Sequence, residues 1–226
     1  WEWDGYTWHR REVVGPSGRA YHAMAYDSMR GVTVLYGGYP GSGSDTWEYD
    51  GERWARINNS GPLNLIRHAM AFHASRAYSV LAGEHPVFWS EWSSWSWDGT
   101  LWRQLSNGVP PGRYGHAMAY DAVRDCTVLI GGYAKWTQIM DDVWEWNGAS
   151  WTQRDERSPS ARAYGAMVYD RARAACVTFG GWEADDQRPL ETLSWSGQSW
   201  KAYRAPAPMA RTSHAMVTQS DSILLF

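Results

Sequence analysis

Residues 110–151 read PPGRYGHAMAYDAVRDCTVLIGGYAKWTQIMDDVWEWNGASW, and related stretches fill the rest of the chain. The Trp that ends this motif recurs at intervals of 46, 48, 49 and 49 residues, as Trp8, Trp54, Trp102, Trp151 and Trp200. A His-Ala-Met triplet, with Gly in place of His once, begins fourteen residues after each of these Trp. Fixed spacings on both sides of one variable gap indicate a repeat array.

Each repeat predicts four short antiparallel strands. In the quoted stretch, HAMAYD and CTVLIGG are alternating or apolar runs joined by a turn at 121–124. Two further runs are joined by a tight hairpin turn, Asp50-Gly51 in one repeat and Asn147-Gly148 in another. No segment indicates a helix. Four antiparallel strands in about 45–50 residues are typical of one blade of a β-propeller.

The quoted stretch resembles the kelch repeat, through the pattern PxxRxxHAM…YD…GG…DxWEYDGxxW. The resemblance covers essentially all 226 residues. It implies a propeller that serves as an interaction platform or, in a few members of the family, as the scaffold of an enzyme. Two positions depart from the pattern, since Gly83-Glu84 replaces a Gly-Gly pair and Gly165 replaces a His.

The order of the motifs predicts how the ring closes. The sequence opens with the third and fourth strands of a blade and ends with the first and second. We therefore expect an all-β, five-bladed β-propeller of four-stranded antiparallel blades, one domain over 1–226, closed by a composite blade made from the N- and C-terminal strands. Such closure removes free sheet edges. The open alternative is a fragment that completes a larger ring with another chain.

Composition excludes some partners. The net charge of −3 gives no reason to expect a nucleic-acid partner, and no apolar run approaches the ~18 residues of a membrane span. Arg outnumbers Lys by 19 to 2, which indicates a GC-rich, bacterial coding origin. We expect a monomer. Cys126 and Cys176 are not expected to form a disulfide, so the cellular compartment stays open.

Two recurring polar positions have competing interpretations. The four His of the triplets are expected to make structural hydrogen bonds rather than to bind zinc, so no metal and no cofactor are predicted. Four Arg precede the triplets by three residues, namely Arg19, Arg113, Arg162 and Arg211. They form either inter-blade ion pairs or a basic ring at the mouth of the central channel, where acidic groups would bind.

The chain is predicted to be a binding protein and not an enzyme. A propeller glycosidase needs two carboxylates about 5–10 Å apart across the central pocket, and the inner-strand positions hold Arg, His, Ala and Met instead. No nucleophile–base pair or phosphate-binding loop is evident. Binding residues concentrate in loops on a rigid scaffold. We therefore expect the site on the face that carries the long loops.

The second repeat is the candidate site. Its loop GEHPVFWSEWSSW (83–95) contains Trp89 and Trp92 as expected aromatic anchors. Arg67 stands where the other repeats have Tyr, Gly or Ser. The remaining predicted ligand-binding residues are the donors Arg19 and Arg113, the acceptors Glu84 and Glu91, the loop residue His85, and the flanking aromatics Phe88 and Trp136. A protein partner is favoured, and a carbohydrate ligand is the alternative.

Overall fold

The computed structural model describes residues 2–40, 43–58, 61–62, 65–84, 92–134, 138–183, 189–204, 207–219 and 222–226. This part of the chain is all-β. It contains one 3-10 turn at Ala74–Arg76 and no α-helix. No helix within these ranges is long and apolar enough to cross a bilayer.

Four repeats each form a four-stranded antiparallel sheet, with the strands in chain order. The chain opens with a hairpin of β1 (Glu2–Trp3) and β2 (Trp8–His9). The first sheet contains β3 (Ala23–Asp27), β4 (Val32–Tyr36), β5 (Thr46–Tyr49) and β6 (Trp54–Asn58). The second sheet contains β7 (Ile66–His73), β8 (Tyr78–Glu84), β9 (Trp92–Trp97) and β10 (Trp102–Asn107).

The third sheet has one addition, a small hairpin in the loop between its second and third strands. Its strands are β11 (Ala117–Asp121), β12 (Cys126–Ile130), β15 (Val143–Trp146) and β16 (Trp151–Gln153), and the hairpin is β13 (Tyr133–Ala134) with β14 (Gln138–Ile139). The fourth sheet contains β17 (Ala166–Asp170), β18 (Ala175–Phe179), β19 (Thr192–Trp195) and β20 (Trp200–Tyr203). A last hairpin joins β21 (Met216–Gln219) and β22 (Ser222–Leu225).

The first strands of successive repeats lie side by side. Strand β3 packs against β7, β7 against β11, β11 against β17 and β17 against β21. The small Ala after each His position allows these strands to approach, and the larger apolar residues fill the space between sheets. One such cluster joins the second and third sheets through Val80, Trp92, Met118, Leu129 and Trp146.

Tryptophan side chains link neighbouring sheets by packing and by hydrogen bonds. Trp97 is fully buried, and its Nε1 donates to Glu48 of the preceding sheet at 2.9 Å. In the same way, Trp195 of the fourth sheet donates its Nε1–H to Glu145 of the third sheet at 2.9 Å. A buried indole that also satisfies its N–H contributes packing without the cost of an orphan donor. Trp97 and Trp195 therefore have a structural role between neighbouring sheets.

The ends of the chain differ from the expected composite blade. The structure keeps β1–β2 and β21–β22 as two separate two-stranded sheets, so the predicted four-stranded composite sheet is not formed. The two hairpins approach each other through Trp8 and Phe226, whose rings lie 5.4 Å apart. Ring contact without a strand ladder leaves the backbone of these hairpins less firmly tied than that of the four complete sheets.

Candidate functional site

One residue at or just before the start of each inner strand adopts a left-handed backbone conformation. The φ angles are 61° at Tyr21, 50° at Arg67, 66° at Gly115, 58° at Tyr164 and 55° at Ser213. Such angles are uncommon for residues other than Gly, so a surrounding constraint must hold them. The constraint includes backbone bonds between repeats. The N–H of Gly115 donates to the Arg67 carbonyl at 3.3 Å, and the N–H of Ser213 donates to the Tyr164 carbonyl at 2.9 Å.

These five residues surround a cavity of 610 Å³, which we call the loop-side mouth. The His positions of the triplets also line it. Short bridges hold the mouth to the long loops, because Ala20 pairs with Tyr39 and Tyr114 pairs with Tyr133. The mouth therefore lies on the face where the sequence places the loops between second and third strands.

Arg67 is the cation of the loop-side mouth. Its guanidinium carbon lies 5.0 Å from the ring centroid of Tyr21 and 5.2 Å from that of Tyr114. Tyr114 stacks on Tyr133 at 5.6 Å, and Tyr133 lies 6.0 Å from Tyr164. The Arg67 guanidinium therefore lies against two aromatic rings, where cation–π attraction helps to hold it.

The histidines of the mouth have lowered pKa values, and His68 makes a structural hydrogen bond. The Nε2 of His68 lies 3.1 Å from the carbonyl oxygen of Tyr36 in the preceding sheet, which confirms the predicted hydrogen-bonding role for this residue. Burial lowers the pKa of His68 to about 4 and that of His116 to about 3. Burial also lowers the pKa of His22 and His214. Within the described residues, Arg67 is therefore the one permanent charge that lines this mouth.

The predicted donors Arg19 and Arg113 do not reach the mouth. Arg19 donates to the carbonyl of Gly37 and to Asp45, both at 2.8 Å. Arg113 is fully buried and pairs with Asp142, with Nη2 and Oδ2 2.8 Å apart. Each guanidinium is satisfied within its own sheet, so the basic ring and the inter-blade pairing are both wrong for these two residues. We call the pairs Arg19–Asp45 and Arg113–Asp142 the Arg–Asp latch.

Trp92 is also misassigned as an exposed anchor. The other sheets turn at a Gly-Gly pair with positive φ, whereas β8 continues straight through Gly83 and Glu84. Glu84 then pairs with Trp92 across the β8–β9 ladder. This extension places Trp92 in the core, fully buried, with its ring 5.0 Å from that of His116.

Glu84 is buried as well, contrary to the role of an open acceptor. Only 3% of the residue is exposed. Burial raises its pKa from 4.5 to about 7, because a carboxylate loses its hydration in that position. Glu84 is not among the residues that line the loop-side mouth.

The other predicted site residues fall outside the described part of the chain. These are His85, Phe88, Trp89, Glu91 and Trp136. Of the predicted set, the structure brings Arg67 to the loop-side mouth. It adds Tyr21 and Tyr164, which the sequence interpretation missed. The alignment column that singles out Arg67 also contains Tyr21 and Tyr164, so this column could have identified them.

Comparison with known proteins gives the fold and no function. No family model matches the chain, and no curated protein matches it. A solved structure described as "Structure of YjhT" is similar, with a TM-score of 0.65 and 14% identity, over 88% of this chain and 72% of the other. Among the described residues, no group of three or more His, Cys, Asp or Glu could hold a metal ion.

Proposed function

We propose that this chain is a non-catalytic, kelch-type β-propeller of five blades that binds a partner protein at the loop-side mouth. Four complete sheets with adjacent inner strands support the propeller, as does the likeness in fold to the YjhT structure. The two terminal hairpins, which stay separate sheets in contact through Trp8 and Phe226, would together occupy the position of the fifth blade. The protein would act as a monomer.

The observation that carries the binding proposal is the position of Arg67. The fold needs only a left-handed backbone there, and Tyr, Gly and Ser satisfy it in the other repeats. One repeat instead places a guanidinium on tyrosine rings at the mouth of a 610 Å³ cavity. Arg binds carboxylates in bidentate geometry, and Tyr and Arg are enriched at energetically important interface positions. An Asp or Glu side chain on a partner loop fits this chemistry.

The rim around Arg67 offers a contact surface for such a loop. Tyr21 is 50% exposed, and Tyr39 on the adjoining bridge is 69% exposed. Amphipathic rings of this kind provide contact area at low entropic cost. The same two rings favour the second candidate, a carbohydrate whose apolar face stacks on Tyr21 or Tyr39.

The absence of a suitable acid–base pair supports a non-catalytic role. No Asp or Glu lines the loop-side mouth within the described residues. Its histidines have depressed pKa values, and His68 is engaged by a backbone carbonyl. Glycoside hydrolysis of the usual kind requires two carboxyl groups at the scissile bond.

The test is selection of peptide ligands from a displayed library, followed by binding measurements on Arg67→Ser. Ser is the natural residue of the equivalent left-handed position at 213, so the variant should keep the wild-type melting temperature. Peptides selected by the wild type should contain Asp or Glu. They should bind the variant at least about tenfold more weakly, as expected for loss of a charged hydrogen bond.

A matched control is Arg53→Ser, at an exposed Arg in the hairpin turn between β5 and β6. This variant should bind the selected peptides as the wild type does. Equal binding by Arg67→Ser and wild type would contradict the proposal. A glycan array probed with both proteins decides the second candidate, because Arg67-dependent glycan binding without peptide binding would replace the partner protein by a sugar.

A further inference from the structure

The opposite end of the same inner strands holds a second cavity, of 530 Å³, which we call the turn-side mouth. It opens where the first and second strands of each repeat are joined by short turns. Its floor includes Met70, Met118 and Met167, one from each of three adjacent sheets. Its volume lies within the range of about 300–1,000 Å³ that small-molecule sites occupy.

Aromatic rings form the wall of the turn-side mouth. They occupy one repeated position, two residues after each Met, as Tyr26, Phe72, Tyr120 and Tyr169. Tyr26 is 60% exposed, so at least one residue of this wall reaches solvent. Aromatic rings and thioether sulfurs together favour an apolar ligand with a π system.

A single charge lies at this mouth. The position four residues after each Met is small in three repeats, as Ser28, Ala74 and Ala122, and is Arg171 in the fourth. Within the described residues, Arg171 has no ion pair and no side-chain hydrogen bond, and no Asp or Glu lines the cavity. The exposed guanidinium is therefore a donor with its hydrogen-bonding capacity unused.

The fold does not require this Arg. In three of the four turns the structural Arg is a different one, two residues further on, and it binds the Asp that begins the turn, as in Arg30–Asp27, Arg124–Asp121 and Arg173–Asp170. Because the turn is complete with Arg173, Arg171 adds a cation to a cavity that three other repeats keep uncharged. A residue that differs from its equivalents in the other repeats, and that has no structural role in its own turn, is a candidate for ligand binding.

We propose that the turn-side mouth binds a small aromatic monocarboxylate. Its ring would lie against the aromatic wall and the Met floor, and its carboxylate would accept hydrogen bonds from Arg171 in bidentate geometry. Because Arg171 is the one charged residue among the described residues of the lining, a ligand with a single negative charge is favoured. This site is separate from the loop-side mouth and does not depend on the function proposed for it.

Titration calorimetry with 2-naphthoate tests the proposal, with 2-naphthamide as the neutral probe of the same shape. The wild type should bind the carboxylate at least about tenfold more tightly than the amide, the factor expected for a charged hydrogen bond. Arg171→Ala installs the residue of the equivalent positions 74 and 122, so it should fold normally. The variant should bind 2-naphthoate no more tightly than it binds 2-naphthamide, because the guanidinium that favours the carboxylate is absent.

Two further variants locate the site. Ala122→Glu introduces a carboxylate into the same rim and should weaken 2-naphthoate binding by repulsion and by pairing with Arg171. Arg67→Ser lies at the other mouth and should bind 2-naphthoate as the wild type does. The proposal is overturned if the wild type does not bind 2-naphthoate, if Arg171→Ala binds it equally well, or if Arg67→Ser loses the binding instead.

Discussion

The second and third sheets share a fold but hold their loop ends in different ways. In the third sheet, Arg113 is latched to Asp142. In the second, the equivalent positions are Leu65, which is buried, and Ser93. Ser93 still accepts the indole N–H of Trp95 at 3.0 Å, as Asp142 accepts that of Trp144 at 2.7 Å. The second sheet thus has an apolar residue and a small polar residue where the third sheet has a buried ion pair. Because both members of the pair are replaced, neither sheet contains a buried charge without its partner at these positions.

The largest expected effect comes from the straight β8–β9 extension of the second sheet. Trp92→Ala should lower the free energy of unfolding by about 4 kcal/mol, because it empties a fully buried indole site. The equivalent residue of the third sheet is Asp141, whose side chain is 36% exposed. Asp141→Ala should lower the free energy of unfolding by less than about 1 kcal/mol, because it removes only the surface ion pair with Arg157. Urea denaturation measures both, and a cost for Trp92→Ala as small as that for Asp141→Ala would contradict its place in the core.

The latch can be converted into its counterpart. Asp142→Ser alone should cost about 3 kcal/mol, because Arg113 stays buried without its carboxylate. The double variant Arg113→Leu/Asp142→Ser reproduces the pair of the second sheet and should recover most of this loss. A double-mutant cycle from urea denaturation gives the coupling energy. Simple additivity of the two single changes would show that the latch is not a coupled pair.

Glu84 should make the second sheet sensitive to pH. Its pKa is raised from 4.5 to about 7 in the folded protein, so the folded state binds the proton more tightly than the unfolded chain. Its stabilising contribution is therefore full below about pH 4.5 and is lost as pH rises to 7. His68 and His116 act in the opposite direction below pH 6.5, because their pKa values are lowered.

The comparison of wild type with Glu84→Gln isolates this contribution, because the histidines are common to both proteins. Relative to wild type, the variant should gain about 3 kcal/mol of unfolding free energy between pH 4.5 and 8. Urea denaturation across this pH range is the measurement. A difference that stays constant with pH would mean that Glu84 is ionised in the folded protein.

Sequence reasoning performed best where structure depends on neighbouring residues. The repeat spacing located all four complete sheets, and the Asp-Gly signature located hairpin turns such as Asp50-Gly51, where Gly51 has a φ of 97°. In this turn the Asp50 Oδ1 accepts the N–H of Arg53 at 2.8 Å. These contacts join residues three positions apart, so the short sequence motif is enough to predict the turn.

The candidate site was predictable only in part. Arg67 was identified because it breaks a repeated position, and the same comparison applied to the turns would have identified Arg171. Arg113 was misassigned because its partner Asp142 lies 29 residues away, on a strand that returns to it only in the folded sheet. Trp92 was misassigned because its exposure depends on whether β8 turns at residue 83 or continues.

By itself, then, the sequence determined the period of the repeat, the four strands in each unit, their hairpin turns and the columns in which one repeat differs from the rest. These are set by spacing and local backbone preference, which do not require knowledge of what lies across the sheet. The tertiary structure decided which polar residues are paired with other residues inside the fold and which line a cavity. Burial and ion pairing join groups that are distant along the chain, and the free energy of a charge depends on those distant neighbours.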